Sequence, residues 1–302
     1  MSQLSVSTKA SKQGVFAILF ASLLWGTTGT AASYASTISP LAIGSFTMGI
    51  GGLLLAINGA KHIRLDMKKL SESRYTLLIG AIALAIYPLA FYSSMRLSGV
   101  AIGTVVSIAS APFFVAIIER LFSKENNIDG YWLISLLIGA IGIALLATSE
   151  TGVSSNEIEA SSKYLGVVLG LVAGFTYALY SWAAKALINR GVSSKSAVGS
   201  IFGLGGLLLV PVFLLNTDTH SISSVNTIVL FYIAIIPMFI GYLCFGFGLK
   251  TIHASKATLL TLFEPAVAAL FAVFIVGESI SLLGWFGLFL IMVCLLLQSS
   301  RH

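Results

Sequence analysis

Glu264 stands inside "TLLTLFEPAVAALFAVFIVGE", residues 258–278, one place ahead of Pro265. A charge at that depth of an apolar helix costs about 2.5–3.5 kcal/mol even on mild membrane-insertion scales, and such residues mark pathways and binding sites. Two roles suit the carboxyl group. It can hydrogen-bond a group freed at the proline, or it can be occupied in turn by a proton and by the ammonium group of a ligand. Aromatic and hydroxyl side chains that could border such a ligand recur at helical spacing: Trp25 with Thr27, Thr28 and Thr30, then Tyr87 with Phe91, then Tyr177 with Tyr180 and Ser181. Stripes of this kind also build plain cores, and threonine hydroxyls can bond their own helix carbonyls, so packing is the competing reading for each. Four prolines, Pro88, Pro112, Pro237 and Pro265, lie in apolar runs and are expected to kink their helices, leaving backbone groups free.

Other chemistries lack their residues. The four histidines, His62, His220, His253 and His302, fall in loops or at helix ends, and His-Glu-x-x-His, Gly-x-Ser-x-Gly and phosphate-loop patterns do not occur. Nothing supplies a positioned nucleophile, a metal set or a nucleotide cradle, so an enzyme, a metal site, a cofactor and ATP hydrolysis are not expected. Cys244 and Cys294 sit within apolar runs, where a thiol behaves as a small hydrophobe.

The elements that must position Glu264 follow from composition. With 57% hydrophobic and 9% charged residues over 302 positions, the chain cannot cover a soluble globule with polar surface. Its apolar runs have the length that carries a helix through a hydrocarbon core of about 30 Å. Ten spans are predicted, at 14–33, 39–60, 75–95, 100–119, 131–148, 164–185, 197–215, 227–249, 255–276 and 281–298, which makes an all-α integral membrane protein. Glu264 then lies about 13 Å of helical rise into the ninth span, near the bilayer midplane and beyond the reach of snorkelling. The first run could be mistaken for a secretory leader, but it has a partner later in the chain.

With a cytoplasmic amino terminus, every lysine and arginine of the 17 except Arg96 and Lys163 falls on the cytoplasmic side. That is the positive-inside asymmetry, and it predicts both termini in the cytoplasm. It also accounts for the net charge of +6 without a nucleic-acid partner. The loop "KHIRLDMKK" suits anionic lipid headgroups.

Laying the chain on itself with an offset of 153 residues aligns residues 101–132 with 254–285 without a gap. Pro112 meets Pro265, Glu125 meets Glu278 and Trp132 meets Trp285. Two five-helix units follow, 14–149 and 164–298, joined by the polar "TSETGVSSNEIEASSK". An odd number of spans per unit makes the second enter the membrane inverted, and inverted repeats with a site between them are the architecture of alternating-access transporters. The glycine-rich "GIGGLLLAINGA" and "GLGGLLLVP" suit close helix packing.

The runs "LLWGTTGTA", "GTVVSIASAPFF", "FTYALYSWAAKAL" and "LTLFEPAVAALFAVFIVGE", in this order and spacing, resemble the ten-helix EamA type of the bacterial drug/metabolite transporter superfamily over nearly the whole chain. The resemblance implies a basket of two inverted units and a central cavity lined mainly by spans one, three, four, six, eight and nine. It also implies a bacterial inner-membrane location. Members move amino acids, amines, sugars, nucleotide precursors or drugs, so it leaves the substrate open. The expectation is export of a small metabolite, an amino acid or related amine, with protons as a coupling partner. Drug efflux or uptake is the first alternative, and a non-transporting scaffold or lipid-handling protein the second. A scaffold has no need of a cavity at Glu264.

Overall fold

In a hydrocarbon solvent every backbone N–H and C=O must be paired within the chain, so apolar runs of this length become helices. The computed structural model describes residues 2–35, 37–98, 100–123, 129–148, 157–217, 223–276 and 281–299, and among them no strand occurs. The helices are α1 Ser2–Ser33, α2 Pro40–Leu65, α3 Met67–Glu72, α4 Arg74–Ser98, α5 Val100–Ile118, α6 Gly130–Thr148, α7 Glu157–Asn189, α8 Ser194–Asn216, α9 Ser224–Ile233, α10 Gly241–Gly248, α11 Ala254–Leu260, α12 Phe263–Phe271 and α13 Leu282–Ser299. Wider π-turns cover Glu119–Ser123, Ala234–Ile240 and Ala272–Val276. Glu125, Glu278, His220, His302 and the middle of the inter-unit linker lie outside the described residues.

Among the described residues seven stretches are long and apolar enough to cross a membrane, and Gly130–Leu145 and Leu282–Leu297 are shorter apolar helices. Side chains such as Phe16, Leu215, Phe274 and Leu282 are more than two-thirds exposed around the bundle, an apolar belt that water would penalise and lipid would not.

Local signals explain several boundaries. Ser39 and Ser193 cap α2 and α8 in the same way, each hydroxyl accepting an N–H three residues on, at 3.2 and 3.3 Å. The turn from α7 to α8 passes through Gly191 at φ 80°, a left-handed backbone that an L side chain would strain.

The four expected kinks are not alike. The helix runs on through Pro88 and Pro112, whereas α9 ends at Ile233, four residues before Pro237, and gives way to a π-turn that contains the proline, and the ninth span breaks at Thr261 and Leu262, between α11 and α12. Thr261 is four residues ahead of Pro265, whose ring would strike its carbonyl in a regular helix and which has no N–H of its own to bond it.

The main contacts pair α2 with α8, α6 with α13, α4 and α5 with α7, and α1 with α10 and α12. Exchanging the two predicted units leaves this pattern unchanged. The α2/α8 seam is built on glycine: a β-carbon at Gly206 would come 2.7 Å from the Gly49 carbonyl oxygen, and one at Gly59 would come 2.7 Å from that of Lys195.

Candidate functional site

Glu264 opens α12 just after the break. Its own N–H donates to the Thr261 carbonyl at 3.0 Å. The Thr261 hydroxyl donates to the Thr258 carbonyl at 2.7 Å and accepts from Tyr177 Oη at 3.0 Å, so an α7 tyrosine ties the two halves of the broken helix in place. Among the described residues none donates a hydrogen bond to the Glu264 carboxylate. It borders a cavity of about 400 Å³ instead.

Six of the residues singled out in the sequence line this one cavity: Glu264, Trp25, Thr28, Tyr87, Phe91 and Tyr177, with Pro88 beside them. Trp25 is oriented by its indole N–H, which donates to the Pro237 carbonyl at 2.9 Å inside the π-turn, and its ring lies 4.7 Å from that of Tyr242. A β-carbon at Gly241 would sit 2.6 Å from Trp25 Nε1, so the glycine is what lets the indole reach this carbonyl. Tyr87 stands 5.6 Å from the rings of both Phe91 and Tyr177. The Thr28 hydroxyl is buried and has no protein partner among the described residues.

Tyr180 and Ser181 do not line the cavity. Tyr180 is 1% exposed and stands behind the wall, its hydroxyl 2.9 Å from that of Tyr242. Ser181 is fully buried. Thr27 turns to the other side of α1, donating to the Leu24 carbonyl at 2.7 Å and accepting from Tyr232 at 3.0 Å. Pro112, Pro237 and Pro265 are not cavity-lining. Residues the sequence reading passed over include Tyr92, Tyr242, Thr47, Thr104 and Met238. A signal for two of them existed: Tyr92 and Tyr242 each follow a proline, Pro88 and Pro237, by about one turn in the third and eighth spans.

The cavity runs from Glu264 toward one end of the bundle, past Ala32, Gly44, Met95 and Thr104, where α1 and α4 end and α2 and α5 begin. The opposite end is closed by charged groups bonded across helices. Glu119, 3% exposed, accepts the N–H groups of Ala254 and Ser255 at the start of α11, at 2.9 and 3.4 Å. Lys185 donates to the Leu249 carbonyl at the end of α10, at 2.8 Å. Asp66 accepts the Ser193 N–H at 2.9 Å, and Lys69, 3.7 Å from Asp66, donates to the Gly191 carbonyl at 2.6 Å. Among the described residues, no group of three His, Cys, Asp or Glu side chains could hold a metal ion.

A second hollow, of about 390 Å³, lies between α2, α3, α4 and α8 and is walled by Leu53, Ile63, Leu70, Leu77 and their neighbours, with Arg74 at its rim. Its walls are almost wholly apolar, and it has neither an acidic residue nor an aromatic ring.

Comparison with known proteins agrees with this architecture. The model of the EamA-like transporter family matches twice, over residues 12–148 and 164–300. The uncharacterized transporter YwfM of Bacillus subtilis is 31% identical across 94% of this chain and 92% of its own, and the uncharacterized inner membrane transporter YicL of Salmonella typhimurium is 24% identical across 96% of both. One crystal structure superposes with a TM-score of 0.77 at 17% identity, covering 94% of this chain and 95% of the other, which is a likeness of fold. Two successive matches to one family model, together spanning nearly the whole bundle that encloses the Glu264 cavity, place this chain in the EamA-like transporter family.

Proposed function

We propose that the protein is a ten-span secondary transporter of the bacterial inner membrane, built from inverted units at 14–149 and 164–298. It exports a small metabolite, an amino acid or related amine, by alternating access. The proposal has both termini in the cytoplasm, so the cavity faces outward and the Glu119, Lys185 and Asp66 contacts close the cytoplasmic side. Rocking the two units reverses this.

The observation that carries the reading is Glu264: a carboxylate at a broken helix, bordering a cavity, with no described protein group bonded to it. Groups from every side face the same space: Trp25 and Thr28 of α1, Tyr87 and Tyr92 of α4, Tyr177 of α7 and Tyr242 of α10. None of them carries a positive charge that would hold the carboxylate permanently ionised. A proton and a substrate ammonium can therefore displace one another there, and that competition couples export to proton entry. Burial of an ionisable group in a scaffold would serve no purpose, and the cavity supports transport over that alternative.

The test is Glu264→Gln, which mimics the protonated form and cannot titrate. In liposomes, transport of radiolabelled phenylalanine and phenethylamine is measured between about pH 5.5 and 8.5, a range wide enough to span a buried carboxyl group. The variant is expected to fold and to lose the pH dependence. Retention of both the wild-type rate and the wild-type pH profile would sink the proton-exchange reading.

A further inference from the structure

The cavity's charge and hydrogen-bonding inventory separates two ligand types that the sequence leaves together. An amino acid presents an ammonium and a carboxylate, while an amine presents only the first. Glu264 supplies a partner for the ammonium, and Trp25, Tyr87, Phe91 and Tyr177 line the same space with aromatic rings, a side-chain type that attracts organic cations. For a carboxylate there is no cationic counterpart. Among the described lining residues there is no lysine, arginine or histidine.

Three of the donors that could stand in for a cation are committed; the Thr28 hydroxyl is not, and it and the hydroxyls of Tyr87, Tyr92 and Thr104 on the same wall are neutral, so they offer a carboxylate no compensating charge. Trp25 Nε1 is used by Pro237, Tyr177 Oη by Thr261, and the Thr47 hydroxyl by the Ile43 carbonyl at 2.8 Å. The start of α12, which could favour an anion, is occupied by Glu264 itself, whose N–H bonds Thr261. A substrate carboxylate would thus be desolvated in an apolar, aromatic space beside a like charge.

We propose that the site selects amphipathic organic cations without a carboxylate, aromatic or aliphatic amines, and excludes their zwitterionic amino-acid counterparts. This rests on Glu264 being the substrate-facing group of the proposed transporter, and it narrows that reading from amino acids or amines to amines alone.

The experiment uses pairs that differ only in the carboxylate: phenethylamine with phenylalanine, tyramine with tyrosine and tryptamine with tryptophan, added to the purified full chain. Binding is read from the shift in melting temperature and from titration calorimetry. The amine of each pair is expected to bind on the order of 100-fold more tightly, the size of the repulsion between two carboxylates about 6 Å apart at an effective dielectric constant near 20. Phenylalanine methyl ester is the deciding control, since it keeps the bulk at that carbon and removes the negative charge. It is expected to behave as the amine does. An ester as weak as phenylalanine would show that size rather than charge excludes the amino acid, and the inference would fall. It falls equally if the amino acids bind as well as the amines, if no amine binds, or if Glu264→Gln, shown to be folded by its chromatographic profile, binds amines undiminished.

These outcomes are separable from those of the transport assay. Amine-selective binding with pH-independent transport would overturn proton exchange and leave the selectivity standing. Amino-acid binding with Glu264-dependent transport would do the reverse.

Discussion

Removing the Glu119 side chain is expected to open the end of the bundle opposite the cavity. Glu119 belongs to the last turn of the fourth span and caps the first turn of the ninth, so the contact crosses between the two units. Its place in the second unit is taken by Ala272, which has nothing with which to return the favour at the other end. Among the described residues the closed end is thus latched by a carboxylate and the open end is not. Loss of an N-cap to alanine costs about 1 kcal/mol, and a carboxylate at a helix N-terminus adds about 0.3–1 kcal/mol. Burial puts the sum near the top of that range, about 2 kcal/mol, which displaces a two-state equilibrium about 30-fold. The bond at 3.4 Å contributes little of this, and the one at 2.9 Å most. The readout is reaction of an Ala32→Cys probe, at the cavity's outer end, with a membrane-impermeant maleimide, in a chain whose Cys244 and Cys294 are changed to alanine. Glu119→Ala should slow labelling markedly, because the population leaves the state in which Ala32 is reached. A variant that melts at a lower temperature yet labels at the wild-type rate would show that the cap is kept in both states and gates nothing.

Asp66 makes stability depend on pH in a defined direction. Burial opposes its charge, but the Ser193 N–H and the Lys69 ammonium outweigh that, and the carboxyl group titrates below its ordinary value. A carboxyl group with a lowered folded-state pKa contributes stability that is fully present above its unfolded value of about 4 and is lost as pH falls below that through the lowered value. Asp66→Asn should therefore cost about 1.5 kcal/mol at pH 7 and progressively less as pH is lowered below about 4; a loss that stays constant over that range in thermal melts would contradict the assignment. The orientation is tested by topology reporters, which should read cytoplasmic at Asn58, Asn189 and His302 and external at Asn156. A cytoplasmic reading at Asn156 would remove the inversion between the units.

Much of the architecture was legible in the order of residue types. Apolar runs of this length in lipid become helices, so the all-helical class followed from length and composition alone. The matching of Pro112 with Pro265 announced the duplication, and Glu264 announced itself through the cost of its depth. Periodicity then said which residues share a helix face, and there its reach ended. Tyr177, Tyr180 and Ser181 share a face of α7, yet only Tyr177 meets the cavity, because Tyr242 of α10 covers Tyr180. Thr27 and Thr28 are neighbours, and one bonds its own helix while the other borders the cavity. In water, an apolar stripe reveals the buried side of a helix. In a membrane the lipid-facing and core-facing sides are both apolar, so the contrast that would say which face meets which neighbour is absent from the sequence. Glu119 illustrates the other gap: along the chain it is a charge at the end of a span, and only folding brings it to the bare N–H groups of Ala254 and Ser255, 135 and 136 residues away.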